Sequence, residues 1–470
     1  MKNCMQSNEC PNERYGEWAF LMYTRLCKVL AANGLFGSIF ESRIVGEASW
    51  ALLGQVGSGI VLLLGTRVLT ELVTPEVFGQ VALMVGIVAL GVNNFSSPFV
   101  SAGIRLLPET IQKNQRGDLT RILRGLISRS VALAIVLMAI GGVAYGYVSE
   151  NKPWLFVASG LLLVATVRRD FGVQLLSGER RQREASLWQT SDSILRPVMA
   201  ISLVLWGGGD AVLILLGYTL ASFVANTMWF KVHRVDAKET TMHRSLGYRS
   251  LRKEVLAYAW PLIPLELVGW LNTLGDRYVI AYLMTAAEVG IYAAAYTLIN
   301  EAFNRSSMVL LRTFQPVYFN HFSRDQSEPA RKVFRMWLIC VIAVGFGGVL
   351  ALVLLKGWVS ELLLAEAYQS AAVLMPIIGM GCALQATGIV LAQPLYARKR
   401  TRLVLRGRVV GAICAAISIP IMVKWQGLMG AAIAAPIYFG TEALVVALIA
   451  KPWLEWLPIV HQKSGDLNES

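Results

Sequence analysis

From Trp50 onward the chain is built of apolar stretches separated by short polar interruptions. Crossing the hydrocarbon core of a bilayer takes ~20 apolar residues per helix. Twelve stretches of that length are predicted, at residues 50–72, 79–103, 126–148, 154–176, 187–207, 210–231, 255–284, 289–313, 334–356, 369–396, 403–423 and 428–450. Strands of an outer-membrane barrel would be ~10 residues long with alternating polarity. These segments are too long and too evenly apolar for that, so the pattern predicts an all-α polytopic membrane protein of about twelve transmembrane helices.

Before the first span, Trp18–Phe40 is apolar but carries Arg25 and Lys28, and no small-residue cleavage site follows it. It reads as an interfacial amphipathic helix rather than a signal peptide. The 470 residues are 55% hydrophobic and 16% charged, against about 45–50% and about 25% in soluble domains. That excludes a disordered chain, a fibrous repeat and an ordinary soluble enzyme.

The net charge of +13 would suggest nucleic acid in a soluble protein, but its distribution gives another reason. Basic residues gather after spans 2, 4, 6, 8 and 10. They are Arg105, Lys113, Arg116, Arg121 and Arg124; Arg180, Arg181 and Arg183; Lys231, Arg234, Lys238, Arg244, Arg249, Arg252 and Lys253; Arg324, Arg331 and Lys332; and Arg398, Lys399, Arg400 and Arg402. The alternate connections offer only Lys152, Lys356 and Lys424 near their ends. This positive-inside asymmetry places both termini in the cytoplasm and needs no nucleic-acid partner. A single miscounted helix would invert it downstream, and it does not invert. The expected organisation is an interfacial extension at 1–46, a first lobe at 47–232, a basic linker at 233–253, a second lobe at 254–454 and a cytoplasmic tail at 455–470.

An internal repeat supports two lobes. Val68–Gly79 (VLTELVTPEVFG) aligns with Val279–Gly290 (VIAYLMTAAEVG), pairing Val68 with Val279, Leu72 with Leu283, Thr74 with Thr285 and Gly79 with Gly290. Each copy joins an odd span to an even one through a short outside turn. Six spans separate the copies, which predicts a parallel six-plus-six duplication.

The chemistry begins with absences. The sequence has no GxxxxGK[ST] phosphate loop, no HExxH and no cysteine–histidine constellation, so no metal or cofactor site is expected. The outside connections are too short to house the catalytic groups of a membrane sugar polymerase or ligase. Ionisable groups inside the spans carry the information, because a charge near the bilayer centre costs at least ~2.5–3.5 kcal/mol and persists only when paired or facing a polar cavity. They are Arg67, Arg168, Arg169, Asp170, Asp192, Arg196, Glu266, Asp276, Arg277, Glu301, Arg305 and Glu442, joined by the amides Asn93, Asn94 and Asn272. Glu266 lies about 11 residues into span 7, roughly 16 Å along the helix, and Glu301 is similarly deep in span 8. Buried carboxylates suit a coupling proton or sodium ion, whereas arginines suit a diphosphate, since a guanidinium stays charged and holds two oxygens at once. Plainer alternatives remain open. Glu301–Arg305 and Asp192–Arg196 are spaced to pair on one helix face, Arg168–Arg169–Asp170 suits a snorkelling anchor, and Asp276–Arg277 suits the outer end of span 7. Prolines at 98, 197, 261, 264, 376, 394, 420 and 436 predict kinks.

The segment Asn272–Leu298 (NTLGDRYVIAYLMTAAEVGIYAAAYTL) ends span 7 in Asp-Arg and opens span 8 on Glu288-x-Gly290-x-Tyr292. With RVLTELVTPEVFGQVAL at Arg67–Leu83, it resembles the polysaccharide-biosynthesis, Wzx-type flippases of the multidrug/oligosaccharidyl-lipid/polysaccharide exporter (MOP) superfamily. The resemblance implies two six-helix lobes forming a V, with a cavity lined by spans 1, 2, 7 and 8. It implies ion-coupled alternating access in a bacterial inner membrane and an undecaprenyl-diphosphate-linked oligosaccharide as cargo, destined for O-antigen, capsule or exopolysaccharide. Arg67, Asn93, Asn94, Asn272, Arg277 and Arg305 are then the candidate substrate residues, and Glu266, Asp276 and Glu301 the candidate ion-coupling residues. The expected surroundings are membrane lipids and, beyond them, the polymerase and chain-length regulator of the same product. Two alternatives stay in view: a drug/cation antiporter of the same superfamily, and a membrane glycosyl polymerase or ligase.

Overall fold

The computed structural model describes residues 42–113, 115–148, 153–179, 181–233, 248–324, 326–398 and 400–451. The proposed interfacial helix at 18–40 lies outside them. The chain divides into two compact units, Met1–Leu52 and Leu53–Ser470. Of the first, only 42–52 are described, and they are helical; all side chains discussed below belong to the second.

The described residues are helical almost throughout and resolve into twelve membrane rods. Span 1 is Ser42–Leu72; span 2 is Pro75–Phe95 continued by Ser97–Gln112; spans 3 to 6 are Arg116–Val148, Trp154–Gly178, Gln182–Gly207 and Ala211–His233. Span 7 is Tyr248–Ala259 continued by Leu262–Leu283, and spans 8 and 9 are Ala286–Ser323 and Ser327–Leu363. A 3-10 turn at Glu366–Val373 leads into span 10, Met375–Leu391 with the short helix Gln393–Ala397. Spans 11 and 12 share the helical run Thr401–Ala450, which is cut at Gly427 (φ 57°, ψ −134°). That left-handed backbone suits glycine, which has no Cβ to clash.

The prolines divide by role. Pro98 opens the inner half of span 2 just after the break at Ser96, and Pro261 sits at the break in span 7. Pro376 starts span 10 and Pro394 its terminal helix. Pro197, Pro420 and Pro436 are carried inside continuous helices. The breaks split spans 2 and 7 into half-helices, and the halves pack differently. Leu251, Val255 and Ala259 from the inner half of span 7 lie in the first lobe's core with Leu106, Leu107 and Leu119, while Ile280 from its outer half lies in the second lobe's core.

The two copies of the repeat meet at the end of the spans opposite the basic connections, the outer end under the topology expected from the charge asymmetry. Thr74 and Thr285 are extended residues that begin spans 2 and 8. Thr285 forms a full capping box with Glu288, which satisfies helix N–H groups that lipid could not. Five residues on, Gly79 and Gly290 let the two helices cross at backbone distance. A Cβ on Gly79 would stand 1.8 Å from the Ala286 carbonyl oxygen, and one on Gly290 1.9 Å from the Pro75 carbonyl oxygen. The contact is reciprocal, as a quasi-two-fold axis between the copies demands. Around it, Tyr278 donates to the Leu83 carbonyl (2.8 Å) and Trp270 Nε1 to the Gly86 carbonyl (2.8 Å). The turn before span 10 joins in, with Tyr368 donating to the Val73 carbonyl (3.0 Å) and the Ala365 N–H to Thr70 Oγ1 (3.2 Å).

Because the obstructing atoms at this crossing are backbone, rotamer changes cannot relieve an added methyl. Gly79→Ala and Gly290→Ala are each expected to destabilise the closed outer end by about 1–3 kcal/mol, the usual cost of overpacking. Spin labels at the exposed positions Glu76 and Tyr282 should report a longer interlobe distance in either variant. A distribution identical to that of the unsubstituted protein would show that the crossing is not tight.

Candidate functional site

Most of the membrane-embedded charges near the lobe boundary fall into three groups. The first group joins spans 1 and 8. Arg305 pairs with Glu301 one turn away on its own helix and donates through Nη1 to Ser58 Oγ of the first lobe at 2.9 Å. Gly59 makes room for it, since a Cβ there would lie 2.9 Å from Arg305 Nε. The pairing suggested by the i,i+4 spacing therefore forms, and the same guanidinium also touches the other lobe.

The second group joins spans 2, 7, 11 and 12. Ser97 Oγ reaches Glu266 Oε1 at 3.5 Å across the lobe boundary. Asn272 Nδ2 sits 3.4 Å from the Arg408 carbonyl and 3.5 Å from Glu442 Oε2. Glu442 rests against Gly411, where a Cβ would stand 3.1 Å from Oε2. The charge of Arg408 lies near enough to act on both Glu266 and Glu442. Sequence reasoning missed Arg408. It sits in RLVLRGRVVG at the basic end of span 11, where any arginine passes for a topology determinant. The available signal was Gly411 one turn on, opening a slot beside it.

The third group is buried in the second lobe. Asp276 is 2% exposed and Arg277 8% exposed, so the pair is enclosed rather than marking an exposed end of span 7. Asp276 accepts from the Tyr292 hydroxyl at 2.6 Å and from the Arg277 backbone N–H at 2.8 Å. The Arg277 guanidinium lies over the Tyr296 ring, 5.4 Å from its centroid, a cation–π arrangement that gains strength away from water. The Asp-Arg that ends span 7 and the Tyr292 that follows Gly290 are thus one constellation.

The other candidates stand apart. Arg67 pairs with Glu71 at 2.6 Å. Asn94 donates to the Leu90 carbonyl within its own helix at 3.1 Å, and Asn93 is half-buried in span 2. The geometry thus gathers Arg305 with Glu301, sets Glu266 against Ser97 and Asn272 against Glu442, encloses Asp276 with Arg277, and leaves Arg67, Asn93 and Asn94 outside all three groups.

A separate network runs through the first lobe in the half of spans 4 and 5 nearer the basic connections. Asp192 is fully buried between Arg169 of span 4, with which it forms an ion pair, and Arg196, at 2.9 Å. It also accepts from Ser222 of span 6 at 2.6 Å. Arg169 bonds Asp170 as well, at 2.6 Å, and Arg196 reaches Thr166 and Ser222. Rather than snorkelling to the interface, Arg169 turns inward to Asp192, whose network ties spans 4, 5 and 6 together.

Removing one member of a buried ion network strands the rest, at a cost of about 3–5 kcal/mol. Asp192→Asn is expected to lower the melting temperature in detergent sharply, by more than Ser222→Ala, which loses one hydrogen bond worth about 1–2 kcal/mol. Equal melting of Asp192→Asn and the unsubstituted protein would remove the network from the account of stability.

Residues 44–310, spans 1 to 8 and with them most of the clusters above, match the family model of the polysaccharide biosynthesis proteins. No curated relative matches the chain. Among solved structures, the lipid II flippase MurJ in an inward closed conformation is 13% identical, with 87% of each chain covered and a TM-score of 0.66. A point mutant of the Vibrio cholerae MATE transporter VcmN is 12% identical over 88% of this chain and 97% of its own, with a TM-score of 0.58. An inward-facing multidrug resistance MATE family transporter of the MOP superfamily is 14% identical over 86% and 95%, with a TM-score of 0.60. These likenesses show the fold, two lobes of six membrane helices. The family model covers more than half of the 470 residues, and the chain belongs to the polysaccharide biosynthesis protein family.

Proposed function

We propose that the protein is a flippase that carries an undecaprenyl-diphosphate-linked oligosaccharide from the cytoplasmic to the outer leaflet of a bacterial inner membrane, for surface or secreted polysaccharide. The observation that carries this reading is Arg305, a guanidinium at the lobe boundary held by an acid on its own helix and touching Ser58 of the other lobe. A diphosphate offers paired oxygens that a guanidinium binds bidentately, so it competes with Glu301 for Arg305. Once Arg305 turns to the diphosphate, Glu301 is left without its counter-charge inside the membrane and takes up a proton or sodium ion. In the empty carrier the pair re-forms and the site returns neutral. The transmembrane potential adds about 2.3 kcal/mol per elementary charge per 100 mV, and with a negative interior it pushes an anionic headgroup outward.

A drug/cation antiporter is favoured less, because its acids would need to be available to organic cations, whereas Glu301 holds Arg305. The even-numbered basic connections and both termini are assigned to the cytoplasm by the charge asymmetry.

In proteoliposomes containing a polyprenyl-diphosphate sugar, Arg305→Gln is expected to lose flipping. Glu301→Gln should keep headgroup binding but lose its response to an imposed proton or sodium gradient. Glu266→Gln and Arg277→Ala should insert normally and transport poorly, and full activity in both would take them out of the site. In the host, deletion of the gene should leave intact lipid-linked units on the cytoplasmic leaflet. Unpolymerised units on the outer leaflet instead would move the protein to a step after flipping.

A further inference from the structure

The cargo of the proposed flippase is an amphiphile, and a carrier for it must deal with the tail as well as the headgroup. Span 8 supplies a place for each. Glu301 and Arg305 occupy one face of this helix. At about 100° per residue, the neighbouring face runs through Ala302 and Ser306, both exposed, and the face beyond it borders an apolar crevice of about 200 Å³ between spans 8, 9 and 10. Val344, Gly345 and Gly348 of span 9 form its far wall and Ala386 of span 10 its floor. Phe303 closes one side, packed where a Cβ on Gly348 would meet its ring at 3.0 Å and one on Gly379 at 3.4 Å. The two glycines make room for the Phe303 ring, which borders the crevice from span 8. Between Arg305 and the crevice, Ala302 and Ser306 make a low saddle of small side chains.

Depth agrees with this arrangement. Arg305 and Ser306 lie about 20 residues from the outer end of span 8, roughly 30 Å along the helix, which is the cytoplasmic half of a core about 30 Å thick. A lipid-linked substrate made on the cytoplasmic side has its diphosphate near that interface and its polyprenyl chain beside it. We infer that the crevice between spans 8, 9 and 10 is a binding site for the polyprenyl tail, with the chain passing over Ala302 and Ser306 while the diphosphate sits at Arg305. The headgroup part rests on the proposed function; the tail part rests on the crevice and its continuity with the charged face. Holding the tail on span 8 would let one helix of the second lobe govern both ends of the cargo.

The test uses the full chain in nanodiscs and a polyprenyl diphosphate carrying a photoreactive group in its tail, with mass-spectrometric mapping. Labelling is expected on the span 8 segment around 302–310 and the span 9 segment around 341–348, displaced by excess unlabelled polyprenyl diphosphate but not by phosphatidic acid. Ser306→Trp fills the saddle and should reduce that labelling about tenfold, the equivalent of losing the burial of about two methylenes. Because a tryptophan there could disturb folding or the headgroup site beside it, Val344→Trp on the opposite wall serves as the second variant; it should reduce the labelling likewise while leaving binding of a two-isoprene diphosphate, too short to reach that wall, unchanged. Displacement by phosphatidic acid to the same extent, or labelling elsewhere in the protein, would overturn the tail site while leaving the flippase reading intact. Failure of the unsubstituted protein to bind the two-isoprene diphosphate at all would overturn the flippase reading, and the tail site with it.

Discussion

Everything at the outer end depends on two backbones approaching closer than any side chain allows. Spans 2 and 8 cross where Gly79 faces the carbonyl of Ala286 and Gly290 faces that of Pro75. Between helices in lipid there is little hydrophobic drive to association, so close packing and hydrogen bonds must supply it. The crossing brings Tyr278 and Trp270 within reach of span 2 carbonyls at Leu83 and Gly86, and it seats Tyr368 over the turn at Val73. Such an interface is close to all-or-none. A small separation loses the backbone contact and the hydrogen bonds together, which favours two discrete arrangements over a continuum.

A second constraint, the cost of charge in hydrocarbon, organises the interior. Membrane-embedded arginines sit beside acids or an aromatic ring: Arg67 with Glu71, Arg305 with Glu301, Arg169 and Arg196 with Asp192, and Arg277 over Tyr296. The two kinds of group differ in what they can do. Asp192 is fully buried and bridges three spans of one lobe, so exchanging its partners would require the lobe to come apart. Arg305 is tied on one side to its own helix and on the other to Ser58 of the opposite lobe, so relative movement of the lobes alters its surroundings directly. Partner exchange is therefore available at Arg305 and withheld at Asp192, although both began in the sequence as i,i+4 pairs.

This difference marks how far the sequence could be read. The number, order and approximate limits of the spans follow from solvation, which acts residue by residue and leaves its mark in composition. The repeat was legible too, and its aligned positions prove to be the structural ones: Thr74 and Thr285 start the helices, and Gly79 and Gly290 make the crossing. The breaks at Pro98 and Pro261 followed from the missing N–H of proline. Partnership was not legible. Nothing in Arg169 announces an acid 23 positions away in the next span, and Arg168–Arg169–Asp170 looked equally like an interfacial anchor. Arg408 was hidden for a related reason, since one basic residue among several at the end of a span has no local feature showing that its charge acts on Glu266 and Glu442. The inner half of span 7 packs into the first lobe's core because its apolar face meets leucines there, and an apolar face does not name its partner.

The half-helices connect these constraints. Span 7 is divided at Trp260–Pro261, with its inner part in one core and its outer part in the other, and Glu266 lies just beyond the joint, reaching Ser97 beside the matching break in span 2. A broken helix yields at its break, because the freed backbone groups there no longer resist a change of direction. Movement of the second lobe would therefore be absorbed at Trp260–Pro261 and Ser96–Ser97, and the polar contact between Glu266 and Ser97 sits between those two joints. The outer crossing, which has no such joint, must open as a unit. A carrier with a rigid seal at one end and paired hinges toward the other has an asymmetric cycle. The crossing end then switches abruptly, while the hinged end adjusts gradually.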